Sequence, residues 1–277
     1  MFNNKTVGFR IFFYASVVII GIFVFFPLYW MINTSFKLPK DVLSLSIVPL
    51  KPTIKNFVSV ITNLTVMRYF ANSLFVSFVS SILATAISAY AGYSLSRFRY
   101  RGRKTILLLF LASRIFPQAV LLLSIYTMMK HLKLTDNYLS LILSFVTFTI
   151  PIGTWTLKSF FDQIPYAISE SAKIDGASHA TIMHRIIFPL AIPGIASTLI
   201  YGFVWSWNDM LYSLTLITSP ARRTLAPGLI LTYLGEFQSN WGNMMAASIL
   251  VSIPVALLFI FCQKLFIEGL TSGAVKG

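Results

Sequence analysis

Stretches of about 20 apolar residues, separated by short polar gaps, constrain this chain more than anything else in it. They run roughly over 11–32, 70–96, 105–129, 138–160, 191–217 and 244–267. A helix of about 20 such residues crosses a hydrocarbon layer of roughly 30 Å. Inside that layer no water satisfies a backbone N–H or C=O, so only helices and closed barrels are stable. Barrel strands alternate apolar and polar positions, and these runs do not. The expectation is an all-α polytopic membrane protein with six transmembrane helices in a single domain over 1–277. Composition agrees, because only 11% of the residues are charged, where a soluble domain carries roughly a quarter.

The net charge of +14 does not point to nucleic acid. The basic residues lie mostly in gaps between apolar runs and not on one amphipathic face. Such a balance suits a membrane protein meeting anionic lipid on its cytoplasmic side. Arg97, Arg99, Arg101, Arg103 and Lys104 crowd the short gap after the second run. Short loops weigh most in setting orientation, so this gap is read as cytoplasmic, and with six spans both termini are too. External loops then cover 33–69, 130–137 and 218–243, and a cytoplasmic loop covers 161–190. The first run lacks a small-x-small cleavage site and reads as a span. The single cysteine, Cys262, can form no intrachain disulfide and reads as a small apolar residue.

Enzyme motifs are missing. Gly102-Arg103-Lys104-Thr105 is only a fragment of a phosphate loop, so nothing here binds ATP by that motif. His179 and His184 are not at zincin spacing, and no nucleophile elbow occurs. No metal cluster or catalytic residue is expected. The informative segment is the polar loop 161–190. Pro165 opens it, Ser169 is a plausible helix cap and Glu170 follows near a helix start. From Glu170 to Ile182 the pattern reads as one short, mildly amphipathic helix. Gly176-Ala177 leaves it a surface with little bulk, where another protein can approach closely. Two acids and small residues favour a protein partner over a lipid surface.

The run Glu170-Ser171-Ala172-Lys173-Ile174-Asp175-Gly176-Ala177-Ser178, followed after 177–185 by Ile186-Ile187-Phe188-Pro189, resembles the coupling motif of bacterial ABC importer permeases. Similarity to the carbohydrate-uptake subfamily extends to Asn72-Ser73, Ala89-Tyr90-Ala91, Arg97 to Gly102, Pro117, Trp207-Asn208-Asp209, Trp241-Gly242 and the tail Gly269 to Gly277. That tail is similar to the smaller maltose-system permease type. Ser171 and Phe188 depart from the usual Ala and Leu. The resemblance implies an ABC type I importer permease fold in a bacterial or archaeal inner membrane. It implies a heterodimer with a second permease, two ATPase subunits that bind ATP and Mg, and an external solute-binding protein that delivers a di- or oligosaccharide. The chain itself would carry no cofactor. Glu170, Ser171, Ala172, Asp175, Gly176, Ala177, Ile186 and Pro189 would couple to the ATPase. Gly273, Ala274, Val275, Lys276 and Gly277 would reach its interface.

Two charges fall inside expected spans. Arg114 lies about ten residues past Lys104, roughly 15 Å along a helix, and Asp209 lies in the fifth run. Intramembrane charges face the protein interior or a cavity. Arg114 therefore pairs with Asp209 or the partner permease, or else lines the translocation path. Gln118, Trp205, Trp207, Asn208 and Asp209 are further path candidates. An arginine there would suit an acidic oligosaccharide or a glycerol phosphate as alternative cargo. An ion-coupled secondary transporter is disfavoured, because the spans carry few acids.

Overall fold

The computed structural model describes residues 7–235 and 239–274, with side chains placed except at Arg10 and 264–274. Thirteen α-helices are found among them: α1 Val7–Ser35, α2 Lys55–Thr62, α3 Leu64–Arg97, α4 Arg103–Ala112, α5 Gln118–His131, α6 Tyr138–Gln163, α7 Tyr166–Ile174, α8 His179–Ile182, α9 Phe188–Leu190, α10 Ile192–Trp207, α11 Leu211–Leu216, α12 Leu225–Tyr233 and α13 Trp241–Ala274. Four helices in the described residues are each long and apolar enough to cross a membrane: α1, α3, α6 and α13 to Gln263. The first, second, fourth and sixth apolar runs fall within these four.

The third and fifth runs are broken. The third divides into α4 and α5 around 113–117, with Pro117 as the N-cap of α5. Proline has no N–H and clashes with the carbonyl four residues earlier, which favours a break, although α1, α6 and α13 each continue through one, at Pro27, Pro151 and Pro254. The fifth divides into α10 and α11 around Asn208–Met210. There the Asn208 side chain bonds Val204 O at 2.8 Å, and Asp209 accepts from Ser213 N at 2.9 Å. Such local side-chain bonds compete with helix continuation. Upstream, 179–190 and α10 meet at a 76° bend, where a π-helical turn at Met183–Ile187 precedes Pro189 and Pro193.

The chain divides into two compact units, 1–66 with 229–253 and 67–228 with 254–277. In the first, the long loop after α1 is ordered from within. Lys37 is buried, its Nζ donates to Ser44 O at 2.8 Å and lies 4.6 Å from the Trp30 ring centroid. Asn56 on α2 donates to Ser35 O and Lys37 O at 2.8 and 2.9 Å.

The second unit is built on α3, α6 and α10. The buried face of α3 is rich in small residues, Ser73, Ser77, Ser80, Ser81, Ala84, Ser88 and Ala89, set among the larger Tyr69, Val76 and Tyr93. In lipid, helices gain little from apolar burial alone, and small residues let backbones approach closely. A Cβ on Gly153 would lie 2.6 Å from Ser88 Oγ and 2.8 Å from Thr198 Cγ2, and one on Gly92 would lie 3.0 Å from Lys158 N. α3 therefore meets the α6 backbone at Gly92, and Gly153 makes room between Ser88 of α3 and Thr198 of α10. A larger cluster of Phe145, Phe148, Tyr212 and Leu216 fills the space towards α5 and α11.

Candidate functional site

The loop after α6 begins with Pro165, whose fixed φ starts α7 at Tyr166. The helix therefore starts four residues before Glu170, and Ser169 lies inside it, buried and not capping. The expected single helix from Glu170 to Ile182 is also two helices. Gly176 has φ +80°, the left-handed region that glycine enters without a Cβ penalty. Gly176 N donates to Lys173 O at 3.0 Å and Ala177 N to Ala172 O at 2.9 Å, the paired bonds of a Schellman C-cap. The chain then turns, and Ser178 caps α8 by accepting from Thr181 N at 3.2 Å.

This turn gives the loop two faces. Ala172, Ile182 and Ile187 are buried with Ala89, Tyr93, Leu157 and Phe161 of α3 and α6, and Ala177, Ile186 and Phe188 pack against them. Burying each isoleucine is worth about 1.5–3 kcal/mol, so the loop is anchored to the helices beneath it. The other face presents Glu170, Ser171, Asp175 and Gly176 to solvent, and Pro189 is exposed further along. Ile174 stands at its tip, 87% exposed. Glu170 and Asp175 form no ion pair among the described residues. Space beside Gly176 is open, since a Cβ there would meet nothing within 4 Å. A cleft of ≈ 90 Å³ separates the loop from the end of α3, lined by Tyr166, Glu170, Lys173 and His179 on one side and Arg97 and Phe98 on the other.

The candidates for a path are placed differently. Arg114, in the break between α4 and α5, donates to Phe148 O and to Tyr201 Oη, each at 3.0 Å. It does not pair with Asp209, which caps α11 instead. That corrects the first of the three alternatives for Arg114, because each side chain finds a nearer partner, Phe148 O and Tyr201 Oη for Arg114 and Ser213 N for Asp209. Gln118 accepts from Tyr212 Oη through its carbonyl at 2.8 Å. Trp207 is 3% exposed and packs against Phe70 and Phe203. Trp205 packs on Phe145 and Phe148 and, with Tyr201, Val204 and Phe259, borders an apolar cleft of ≈ 270 Å³. Asn208 is exposed. Of the tail, 275–277 lie outside the described residues, and Gly273 and Ala274 are described only as helix backbone.

Three features escaped the sequence reading. Ile174 looked like part of an amphipathic face. Arg97 counted as one of a basic cluster and of the subfamily-like run Arg97 to Gly102, not as a tie between helices. Asp136 (φ +55°) joins the loop after α5 to the segment after α11. It accepts from Thr218 N at 3.1 Å and from Ser219 N and Oγ at 2.9 Å, and pairs with Arg222 at 3.0 Å. Burial works to raise its carboxyl, but the hydrogen bonds from Ser219 and Thr218 and the Arg222 charge outweigh it and hold the group below the usual value. Beside it, Asn72 donates to Ala221 O and Arg223 O, and accepts from Tyr138 Oη.

The sequence and the overall fold both match known proteins. Residues 81–272 fit the sequence profile of the family described as "Binding-protein-dependent transport system inner membrane component". This chain belongs to that family. The permease is 35% identical to an inner membrane ABC transporter permease protein, YcjP, of Escherichia coli (strain K12), over 100% of both chains. It is 32% identical to the trehalose/maltose transport system permease protein MalG of Thermococcus litoralis, over 97% of each. The solved structure of a bacterial ABC transporter involved in the import of the acidic polysaccharide alginate has a chain of the same fold. That chain superposes with a TM-score of 0.82 at 21% identity, covering 95% of the permease and 99% of itself. The ABC type I importer permease fold follows, and the family places the chain in a membrane as a transport subunit.

Proposed function

We propose that the permease moves a di- or oligosaccharide inward as half of a heterodimeric pore, and that an ATPase grips its 166–190 loop. The observation that carries this reading is the two-faced loop, buried through Ala172, Ile182 and Ile187 and bare at Glu170, Ile174, Asp175 and Gly176. A rigid knob fixed to α3 and α6, with an unsatisfied apolar tip and two free carboxylates, suits insertion into a protein cleft. The carboxylates supply charge-assisted hydrogen bonds at its rim. Ala172 and Ile186 act from below by holding the knob. ATP and Mg belong to the ATPase, and hydrolysis takes place there. A solute-binding protein delivers the sugar on the opposite face. The termini lie on the cytoplasmic side of the inner membrane, where 273–277 approach the ATPase. Sugar as cargo is supported by 32% identity along nearly the whole chain to a trehalose/maltose permease.

The test is reconstitution of this chain with its partner permease and ATPase in proteoliposomes, with binding protein and a panel of sugars. Sugar-stimulated ATP hydrolysis with sugar uptake is expected. Hydrolysis indifferent to every neutral sugar would redirect the reading to acidic saccharides or glycerol phosphates. Failure to assemble with any ATPase would remove the docking role.

A further inference from the structure

The loop does not rest on its helices through apolar contact alone. Arg97, the last residue of α3, donates through Nη2 to Phe161 O and to Ile164 O, both at 2.8 Å. These carbonyls lie at the carboxy end of α6, where Phe161 O also accepts from Ile164 N at 3.2 Å and the partial negative charge of the helix collects. The same guanidinium lies 4.6 Å from the ring centroid of Tyr166, the first residue of α7. Tyr166 Oη donates back to Ser96 O at 2.6 Å. Ser96 Oγ donates to Asp162 Oδ1 at 2.6 Å, and Lys158 holds the other carboxylate oxygen. Gly92, one turn earlier, lets α3 touch the α6 backbone at Lys158. The end of α3, the end of α6 and the start of the loop are thus tied by directional bonds into one block.

We infer that Arg97 is a positioning residue for coupling: with Tyr166, it makes α3 move with the loop. This rests on the proposed docking of the loop and goes beyond it by naming the span that receives the motion and the clasp that passes it on. Apolar contacts let helices slide. A planar cation that bridges two carbonyls and stacks on a ring fixes both distance and orientation. Without it, a push on α7 would be absorbed at Ile164 and Pro165, where the backbone leaves helical geometry.

The test measures sugar moved per ATP hydrolysed, in complexes first shown to be assembled, for Arg97→Gln, Arg97→Lys and Tyr166→Phe. Arg97→Gln is expected to lower that ratio about five- to tenfold, the scale of a typical coupling between sites. Arg97→Lys should recover part, and Tyr166→Phe, which keeps the ring and loses only the hydroxyl, should fall in the same direction by less. Combined with Ile174→Asp, the effect of Arg97→Gln should be less than additive, as for two links of one chain. A purely structural role would lower the melting temperature of the permease and leave the ratio alone, and that result overturns the inference. If Arg97→Gln does not insert, Tyr166→Phe decides, and an unchanged ratio there overturns it as well. Failure of the docking reading shows separately, as normal ATPase assembly of Ile174→Asp and Gly176→Trp.

Discussion

Gly176 separates two physical effects that a single substitution usually mixes. Its φ of +80° means that any side chain with a Cβ is strained there, at about 1–2 kcal/mol. An added Cβ meets nothing within 4 Å in the permease, so there is no internal clash to add. At positive φ that strain outweighs the gain from restricting the unfolded chain, so Gly176→Ala should cost the turn about 1–2 kcal/mol. The loop is held by Ile182 and Ile187, each worth about 1.5–3 kcal/mol, so the permease still inserts and the loop stays in place. Asparagine tolerates the left-handed region better than alanine, so Gly176→Asn should cost less still. Tryptophan brings the same backbone strain as alanine, plus a side chain that projects into the open space where the ATPase is proposed to sit. Sugar-stimulated ATP hydrolysis in proteoliposomes should therefore rank Gly, Asn, Ala and then Trp, with a steep drop only at Trp. If Trp matched Ala, nothing would dock beside Gly176. If Ala were as poor as Trp while Asn restored activity, backbone strain alone would explain the site.

Ile174→Asp changes a side chain that is 87% exposed, so the melting temperature of the isolated permease should move little, within about 0.5 kcal/mol. Co-purification of the ATPase should fall by about 1.5–3 kcal/mol of affinity, the size of a buried isoleucine contact. Gly153→Ala places a methyl 2.6 Å from Ser88 Oγ and 2.8 Å from Thr198 Cγ2. Overpacking of that kind costs about 1–3 kcal/mol and should appear as a lower melting temperature in detergent, with no special effect on ATPase binding. The Asp136 junction should depend on pH with a definite sign. Its carboxyl is lower in the folded chain, so its contribution is complete above the unfolded value of about 3.9 and is lost as pH falls through the folded value. Amide exchange at Ser219 should speed up over that acid range, and Asp136→Asn should remove the pH dependence.

The apolar runs were legible because crossing a bilayer is a local requirement on length and hydropathy, and α1, α3, α6 and α13 satisfy it one segment at a time. The polar loop 161–190 was legible as well, because its acids, glycine and prolines stand out between apolar neighbours. The two faces of that segment were not. Ala172 and Ile174 are two residues apart in one short helix, yet one is buried and the other is at the tip. Only the position of α3 and α6 beneath the loop makes that difference. Glycine at 176 marked a close approach in the sequence, while its role in capping α7 needed the backbone bonds to Ala172 and Lys173.

From its residue order alone this chain reads as a helical membrane protein with a polar loop between apolar spans, because hydrophobic length, basic flanks and turn residues act over a few neighbours. Where the third and fifth runs break, which carbonyl Arg114 reaches, and how Arg97 ties α3 to α6 are settled by tertiary structure. Each of those outcomes depends on which backbone group, dozens of residues away, arrives within hydrogen-bonding distance. Arg97 finds Phe161 and Ile164, and Arg114 finds Phe148 and Tyr201, while Gly92 lets α3 reach the α6 backbone and Gly153 leaves room for the side chains of Ser88 and Thr198.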